Sequence, residues 1–303
     1  MRLNIRANLK DYIRSFLEIY NKNRKSPNSI NIFLESLHFL LSYNYWPNFK
    51  NPRSFNEFIC SIKFYGNLED LAYVSDKLRV MDKVKKEVGD KYLLKIYDVI
   101  DDPRNIDLEK YKTYPKSFVA KPNHASQRVF INNGESNFDL FRNSIQSFLD
   151  EYGNIPQEFH YKLIQPKIMI QELISPSDNK LFDFKFYVFK GRVELIWVRC
   201  NLLKNNDEGN YNAIIYTRDW KLSEFQRRPS INNNVEKPQC LDEMIYVAET
   251  LGRDWEFIRV DMYLYDNNII KFGEMTPTPL AGRGAFYPPN ADILLYQKFL
   301  KSS

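Results

Sequence analysis

Cysteine, histidine, glycine and long apolar runs are all scarce in this chain, and each scarcity closes off a class of function. The three cysteines, Cys60, Cys200 and Cys240, lie far apart and never form a CxxC pair, which excludes a disulfide framework and a zinc ribbon. They read as small buried apolar side chains in a reducing compartment. Of the three histidines, His38 falls in an apolar helical run and His160 in a loop, both structural, so only His124 stands near a candidate site. Ten glycines exclude a fibrous or low-complexity chain. No stretch reaches the ~20 apolar residues that a membrane-spanning helix needs. Arg2, Arg6 and Lys10 interrupt the first apolar run, so no signal peptide is expected. The expected compartment is the cytoplasm, with contact to the inner face of the membrane left open.

What is present is a globular composition, 44% hydrophobic, 15% aromatic and 27% charged, and enough length for about two domains. The formal net charge is +5, with the basic residues spread along the chain rather than blocked. No zinc finger, helix-turn-helix or RNA-stacking motif accompanies them, so nucleic acid is not an expected partner. An anionic small molecule or sugar acid suits the balance.

Along the chain, Leu9, Ile13, Phe16, Leu17 and Tyr20 at spacings of three and four predict an amphipathic helix. Its other face, with Arg6, Lys10 and Arg14, suits either packing on the protein or an anionic membrane surface. A second apolar run, Ile30 to Tyr45, ends at the Trp46-Pro47 and Asn51-Pro52 punctuation. Ser54 with Glu57 resembles a capping box opening a helical stretch that Gly89 closes. Strands are predicted at 92–99, 117–120, 128–131 and 167–173, with a helix over 137–152. The second half is strand-rich, at 182–189, 192–199, 213–217, 257–265 and 269–274, with a helix over 241–251. Lys190-Gly191 and Asp266-Asn267-Asn268 stand where hairpin turns belong. Asn232-Asn233-Asn234 reads as a surface loop.

The most informative pair is Asp261 and Glu274, on the two strands of the last hairpin. Alternation puts Asp261 on the side of Arg259 and away from Val260 and Met262. Two carboxylates side by side are unfavourable unless a cation lies between them, and a hard oxygen site of this kind suits Mg²⁺. Without more context they are equally two solvated strand-end acids. Phe118-Val119-Ala120-Lys121 delivers a lysine into a polar turn, where Ser126 and backbone N–H groups offer donors to phosphate. Asp183 and Lys185 share one face of their strand. Ile168 to Leu173 ends where backbone groups of a hinge can meet an adenine edge.

In order, Asn51-Pro52-Arg53-Ser54-Phe55-Asn56-Glu57, Asp76-Lys77, Phe118-Val119-Ala120-Lys121-Pro122-Asn123-His124, Gln171-Glu172, Asp183-Phe184-Lys185-Phe186 and Arg259-Val260-Asp261…Gly273-Glu274-Met275-Thr276-Pro277-Thr278-Pro279 resemble the TupA-like branch (teichuronopeptide biosynthesis) of the ATP-grasp superfamily. The resemblance spans roughly residues 50–290. It implies an α+β fold whose two lobes clasp ATP. The domains expected are a helical extension (1–50), a helical lead-in with the first strands (51–116), a first lobe (117–180) and a second lobe with the metal hairpin (181–303).

The resemblance further implies ATP and Mg²⁺ as cofactors. Lys121, His124, Ser126, Asp183 and Lys185 would lie around the nucleotide, Gln171 and Glu172 at the adenine, and Asp261, Glu274 and Thr276 on magnesium. Arg259, Arg283 and Lys185 are the candidate catalytic residues, Arg283 as a bidentate grip on a substrate carboxylate. The implied activity is ATP-dependent amide formation between a uronic acid carboxylate and an amine or amino acid, in bacterial surface polysaccharide biosynthesis, with peripheral contact to membrane or capsule machinery left open.

Two departures stand out. The family pattern has glycines after the histidine, where Ala125, Ser126, Gln127 and Arg128 follow here. Thr276 stands where many ATP-grasp enzymes carry a metal-binding asparagine. Two rival readings stay open: a transferase of capsule or lipopolysaccharide assembly that uses a sugar nucleotide in the same cleft, and a non-catalytic nucleotide-binding module.

Overall fold

The computed structural model describes residues 2–125, 128–150, 157–178, 180–199, 213–227, 235–266 and 268–301, with nine α-helices and nine β-strands among them. Helices α1 (Arg2–Tyr20) and α2 (Ser29–Tyr43) form an N-terminal pair. The helical stretch expected after Ser54 is three helices, α3 (Phe55–Tyr65), α4 (Leu68–Ser75) and α5 (Arg79–Glu87). The breaks have local causes. Asn67 caps the backbone of Glu69 and Asp76 that of Leu78, each side-chain oxygen satisfying a helix-end donor. Only half of the capping box at Ser54 forms: its hydroxyl accepts from the Glu57 amide. The Glu57 carboxylate instead receives the amides of Arg53 and Asn48.

Two antiparallel sheets follow. The first has four strands in the order β1-β4-β2-β3, namely β1 (Ile96–Ile100), β2 (Ser117–Pro122), β3 (Phe130–Asn133) and β4 (Ile168–Gln171). The short α6 (Leu108–Lys112) lies between β1 and β2, and α7 (Phe138–Ser147) follows β3. Phe118, Ala120, Phe130, Ile168 and Ile170 point to one face of this sheet and pack with Phe141 and Ile145 of α7. Strand alternation leaves Lys121, with its partner Met169 and with Gln171, on the other face.

The second sheet runs β7-β6-β5-β8-β9, with β5 (Leu181–Phe189), β6 (Arg192–Arg199), β7 (Ala213–Thr217), β8 (Phe257–Tyr265) and β9 (Ile269–Thr276). One face, including Phe184, Phe186, Val260 and Met262, packs on α8 (Leu241–Gly252) through Met244, Val247 and Leu251. The opposite face is divided. Tyr187, Phe189 and Phe257 meet Phe55 and Ile59 of α3 and Leu295 of the C-terminal helix α9 (Ala291–Phe299). Farther along the same face stand Asp183, Lys185, Arg259 and Asp261. The segment 51–116 therefore serves both sheets, α3 packing on the second and β1 pairing in the first.

Of the cysteines, Cys60 is buried and Cys240 partly so; Cys200, Ser126 and the loop 232–234 lie outside the described residues. Among the described residues no helix is long and apolar enough to cross a membrane.

Candidate active site

A single cross-strand row carries the charged centre. Lys185 on β5 stands opposite Asp261 on β8, and Asp261 stands opposite Glu274 on β9. The second pairing depends on a bulge. Met262 pairs with Phe272 but Asp261 with Glu274, so Gly273 is the extra residue. Before the bulge Ile270 and Phe272 point into the core; after it Met275 does, and Glu274 turns to the opposite face. A Cβ on Gly273 would come within 3.1 Å of the Asp261 carbonyl oxygen, so this crossing of backbones favours glycine.

The carboxylates are held by the protein's own cations. Lys185 Nζ lies 2.6 Å from Asp261 Oδ2 and 2.9 Å from Asp183 Oδ2. Arg259 sets Nε 2.6 Å from Asp261 Oδ1 and Nη2 2.7 Å from Oδ2. The same Nη2 donates to Glu274 Oε1 and to the Thr276 hydroxyl, each at 3.0 Å. Arg199 reaches Asp183 at 3.6 Å. Thus the cation that must separate two neighbouring acids is, here, the Arg259 guanidinium.

Two lysines approach from the other side. Lys77, between α4 and α5, has Nζ 3.8 Å from Glu274 Oε2 and donates to the Ala125 carbonyl at 2.6 Å. Lys121 and Gln171 line the same crevice as Lys77 and Gly273, with Met81, Leu94 and Met169 as its apolar wall. The crevice has a cavity volume of about 10 Å³, against ~300–1,000 Å³ for an ordinary ligand pocket. A bulky ligand therefore needs the two sheets to part.

The fields are strong. Burial by itself would raise the Glu274 carboxyl, but Lys77, Arg259, Lys185 and Lys121 together hold it down at about 2. Burial, with Lys77 nearby, lowers Lys121 to about 8, and burial lowers Lys77 too. Burial opposes the charge on Lys185 and Arg259, yet Asp261 raises both. Four acids, Asp76, Asp183, Asp261 and Glu274, thus face five cations, Lys77, Lys121, Lys185, Arg199 and Arg259. The centre carries net positive charge, which suits a polyanion and repels a bare divalent ion. Among the described residues no three His, Cys, Asp or Glu side chains assemble a metal cage. Asp261, Glu274 and Thr276 are hard oxygen donors that fit Mg²⁺ when phosphate oxygens complete its shell.

Other expected residues have different positions. His124 is buried, its Nδ1 3.2 Å from Asn123 Oδ1, within a turn that Asn123 ties to Asp76 and Gln165. Glu172 is engaged by Lys95, whose carbonyl accepts its amide and whose amide donates to its carboxylate; that carboxylate clips two chain segments together rather than entering the crevice. Arg283 does make a bidentate grip, but on Glu35 of α2, with Nε and Nη2 at 3.0 and 2.9 Å. Lys63 of α3 joins the same carboxylate at 3.0 Å and also donates to the Ala281 carbonyl. Glu35 and Lys63 are fully buried, so a substrate carboxylate does not have Arg283 to itself. Next to this triad Leu280 and Ala281 adopt left-handed backbone with φ near 53° and 52°.

Sequence reading passed over Lys77, Glu35 and Glu158. Lys77 has a sequence signal, the Asp76-Lys77 pair within the resemblance. Glu158 is buried, accepts the Thr278 hydroxyl at 2.7 Å, and is pushed up to about 7 by that burial; nothing in its sequence surroundings marks it.

Among solved structures, the chain is similar to the D-alanine–D-alanine ligase of Bacillus anthracis complexed with ATP, at 16% identity and a TM-score of 0.45, over 76% of this chain and 65% of that one. The corresponding ligase of Helicobacter pylori gives 13% and 0.42, over 76% and 61%. The macrocyclase MdnC of Microcystis aeruginosa, bound with its precursor peptide, gives 12% and 0.38, over 91% and 73%. The chain thus spans less than two thirds of the length of either D-alanine–D-alanine ligase. The comparison with curated proteins finds no match. The family model described as TupA-like ATPgrasp matches residues 58–300, which takes in both sheets and all the charged residues of the crevice. With four-fifths of its length so matched, the chain belongs to the TupA-like ATP-grasp family and has the ATP-grasp fold.

Proposed function

We propose that this protein is an ATP-dependent ligase that joins the carboxylate of a sugar acid, a uronic acid, to an amine or amino acid in the making of a bacterial surface polysaccharide. The observation that carries the reading is the Lys185–Asp261–Glu274 row, faced by Lys77 and Lys121 from the other side of the crevice. Family membership supports a ligase that activates a carboxylate with ATP. The substrate carboxylate attacks the γ-phosphate of ATP, giving an acyl phosphate and ADP. The amine then displaces inorganic phosphate and forms the amide.

No protein nucleophile is needed, so the residues act by position and charge. Lys121 and Lys77 would neutralise phosphate oxygens as point charges, and Gln171 with the apolar wall would seat the base. Arg259, already spanning Asp261, Glu274 and Thr276, would stabilise charge on the transferring phosphoryl group. Asp261, Glu274 and Thr276 would hold magnesium, which would supply Lewis-acid polarisation of the phosphates when bound. Closing the sheets after binding would exclude water and protect the acyl phosphate from hydrolysis.

The test is ADP release. Release that requires both a uronic acid and an amine supports the ligase. If the protein binds Mg-ATP yet forms no ADP with any such pair, the ligase reading falls. A non-catalytic nucleotide-binding module is favoured by one observation, that both Asp261 oxygens already touch Arg259 or Lys185. On that reading Glu274→Gln leaves surface modification in cells intact.

A further inference from the structure

We infer that the N-terminal helix α1 docks the protein onto an anionic lipid surface. Helix α1 has a wide apolar face, and the fold covers only part of it. Ile13 and Leu17 turn inward and are buried, whereas Tyr12, Phe16 and Ile19 remain 74%, 50% and 79% exposed. These three, spaced by four and three residues, project side by side from the helix. A monomeric soluble surface seldom leaves neighbouring large apolar side chains this bare. On the adjoining α2, exposed Phe33 rests against exposed Trp46.

The charge distribution says what covers this face. Basic residues occur throughout the chain, but the acids that balance them do not. Residues 1–25 contain seven Lys or Arg and only two Asp or Glu, which accounts for the whole net charge of +5; residues 26–303 are balanced. The positive charge that adjoins the apolar strip is that at the end of the helix, Lys10 and Arg14 standing on its other face. Phe16 stacks on Tyr20 at 5.3 Å, and the Arg24 guanidinium lies 4.3 Å over the Tyr20 ring. Lys22 and Lys25 follow, and Lys162 donates to the carbonyls of Asn21 and Arg24 where the helix ends. Arg14 lies away from the strip, paired with Glu18. An apolar aromatic strip with cations at its end is the chemistry of a helix lying in the interface of an anionic bilayer. A neutral or acidic protein groove would use the strip but not the charge.

The experiment is flotation of the full chain with vesicles of phosphatidylcholine containing ~30% phosphatidylglycerol, against phosphatidylcholine alone, with no nucleotide or substrate present. Expected is binding at least ~10-fold tighter to the anionic vesicles, weakening as salt is raised. The Tyr12→Ser/Phe16→Ser/Ile19→Ser variant should lose it while keeping its thermal midpoint. A second variant, Arg24→Glu/Lys25→Glu, should bind more weakly with the core untouched. The inference is overturned by equal binding to both vesicle types, by undiminished binding of both variants, or by a dimer in light scattering that the triple variant dissociates. Because no substrate enters the assay, failure here leaves the ligase reading standing, and the reverse also holds.

Discussion

Lys185 and Asp261 face each other directly across two neighbouring strands, with Nζ 2.6 Å from Oδ2. Both are buried, so each neutralises a charge that the sheet could not otherwise hold. Asp261 answers Arg259 as well, and one carboxylate thereby anchors two cations.

Removing that carboxylate strands both cations. Asp261→Asn is expected to lower stability by about 3–5 kcal/mol, the usual effect of breaking a buried ion pair. Mg-ATP should cease to raise the melting temperature. Chemical denaturation and thermal shift measure the two effects separately, and a variant as stable as the wild type would contradict the pairing.

Magnesium and ATP are expected to bind as a complex. Five cations against four acids leave a net positive centre with no attraction for a bare divalent ion. Millimolar Mg²⁺ alone should therefore leave the thermal midpoint unchanged, while Mg-ATP raises it by mass action on the native state. A large shift with Mg²⁺ alone would mean that the acids bind metal unaided.

Lys121 makes nucleotide binding sensitive to alkaline pH. Its pKa is lowered to about 8 by burial and by Lys77, and only the protonated form attracts phosphate. Affinity for Mg-ATP should hold below pH 8 and fall above it, by up to about tenfold per pH unit. Titration calorimetry across this range checks the slope, and Lys121→Arg should flatten it. A flat wild-type profile would separate Lys121 from the phosphates.

Glu158 gives a stability effect of known sign. Its folded pKa, about 7, lies above the ordinary 4.5, so the folded state favours the protonated acid. The stability this contributes is complete below pH 4.5 and is lost as pH rises through 7. Glu158→Gln keeps a partner for Thr278 without the charge. It should be more stable than wild type by roughly 1–3 kcal/mol at pH 8 and near equal at pH 4.5.

Glu35 lies outside the region that the family model matches, yet it holds Arg283 and Lys63. Glu35→Ala should destabilise the protein by about 3–5 kcal/mol by leaving Lys63 buried and unpaired. Glu35→Leu/Lys63→Met, which removes both charges, should recover part of that loss. A double variant worse than Glu35→Ala would show that the pair acts through something other than charge.

Much of the fold was legible because its strands are rich in apolar and aromatic residues between clear turns. In Phe182 to Phe189 and Phe257 to Tyr265 one set of alternate positions is wholly apolar while the other mixes charged and aromatic residues, and the predicted bounds of these strands and of Arg192 to Arg199 lie within a residue of those observed. The Asp261–Glu274 pairing followed from a hairpin with an obvious turn. Helix α9 went unread, and the helical stretch after Ser54 hid two breaks made by short side-chain caps. The pairing of Glu35 with Arg283 joins residues 248 apart, so no local pattern carries it. Arg283 was expected to grip a substrate carboxylate in bidentate fashion, and the carboxylate that it grips here is that of Glu35. Lys77 entered only as part of the resemblance and was given no role, because a lysine between two helices gains meaning only when folding brings a strand from the far end of the chain beside it.

The bulge at Gly273 has a consequence for how this site can be lost. A substitution at Gly273 that straightened the ladder, setting residue 273 instead of Glu274 opposite Asp261, would keep every strand, yet would swing the Glu274 carboxylate to the face where Phe184 and Met262 pack. A chain altered in that way would keep its outline while losing the facing pair of acids, so the shape of this sheet and the makeup of its charged row are separable at one residue.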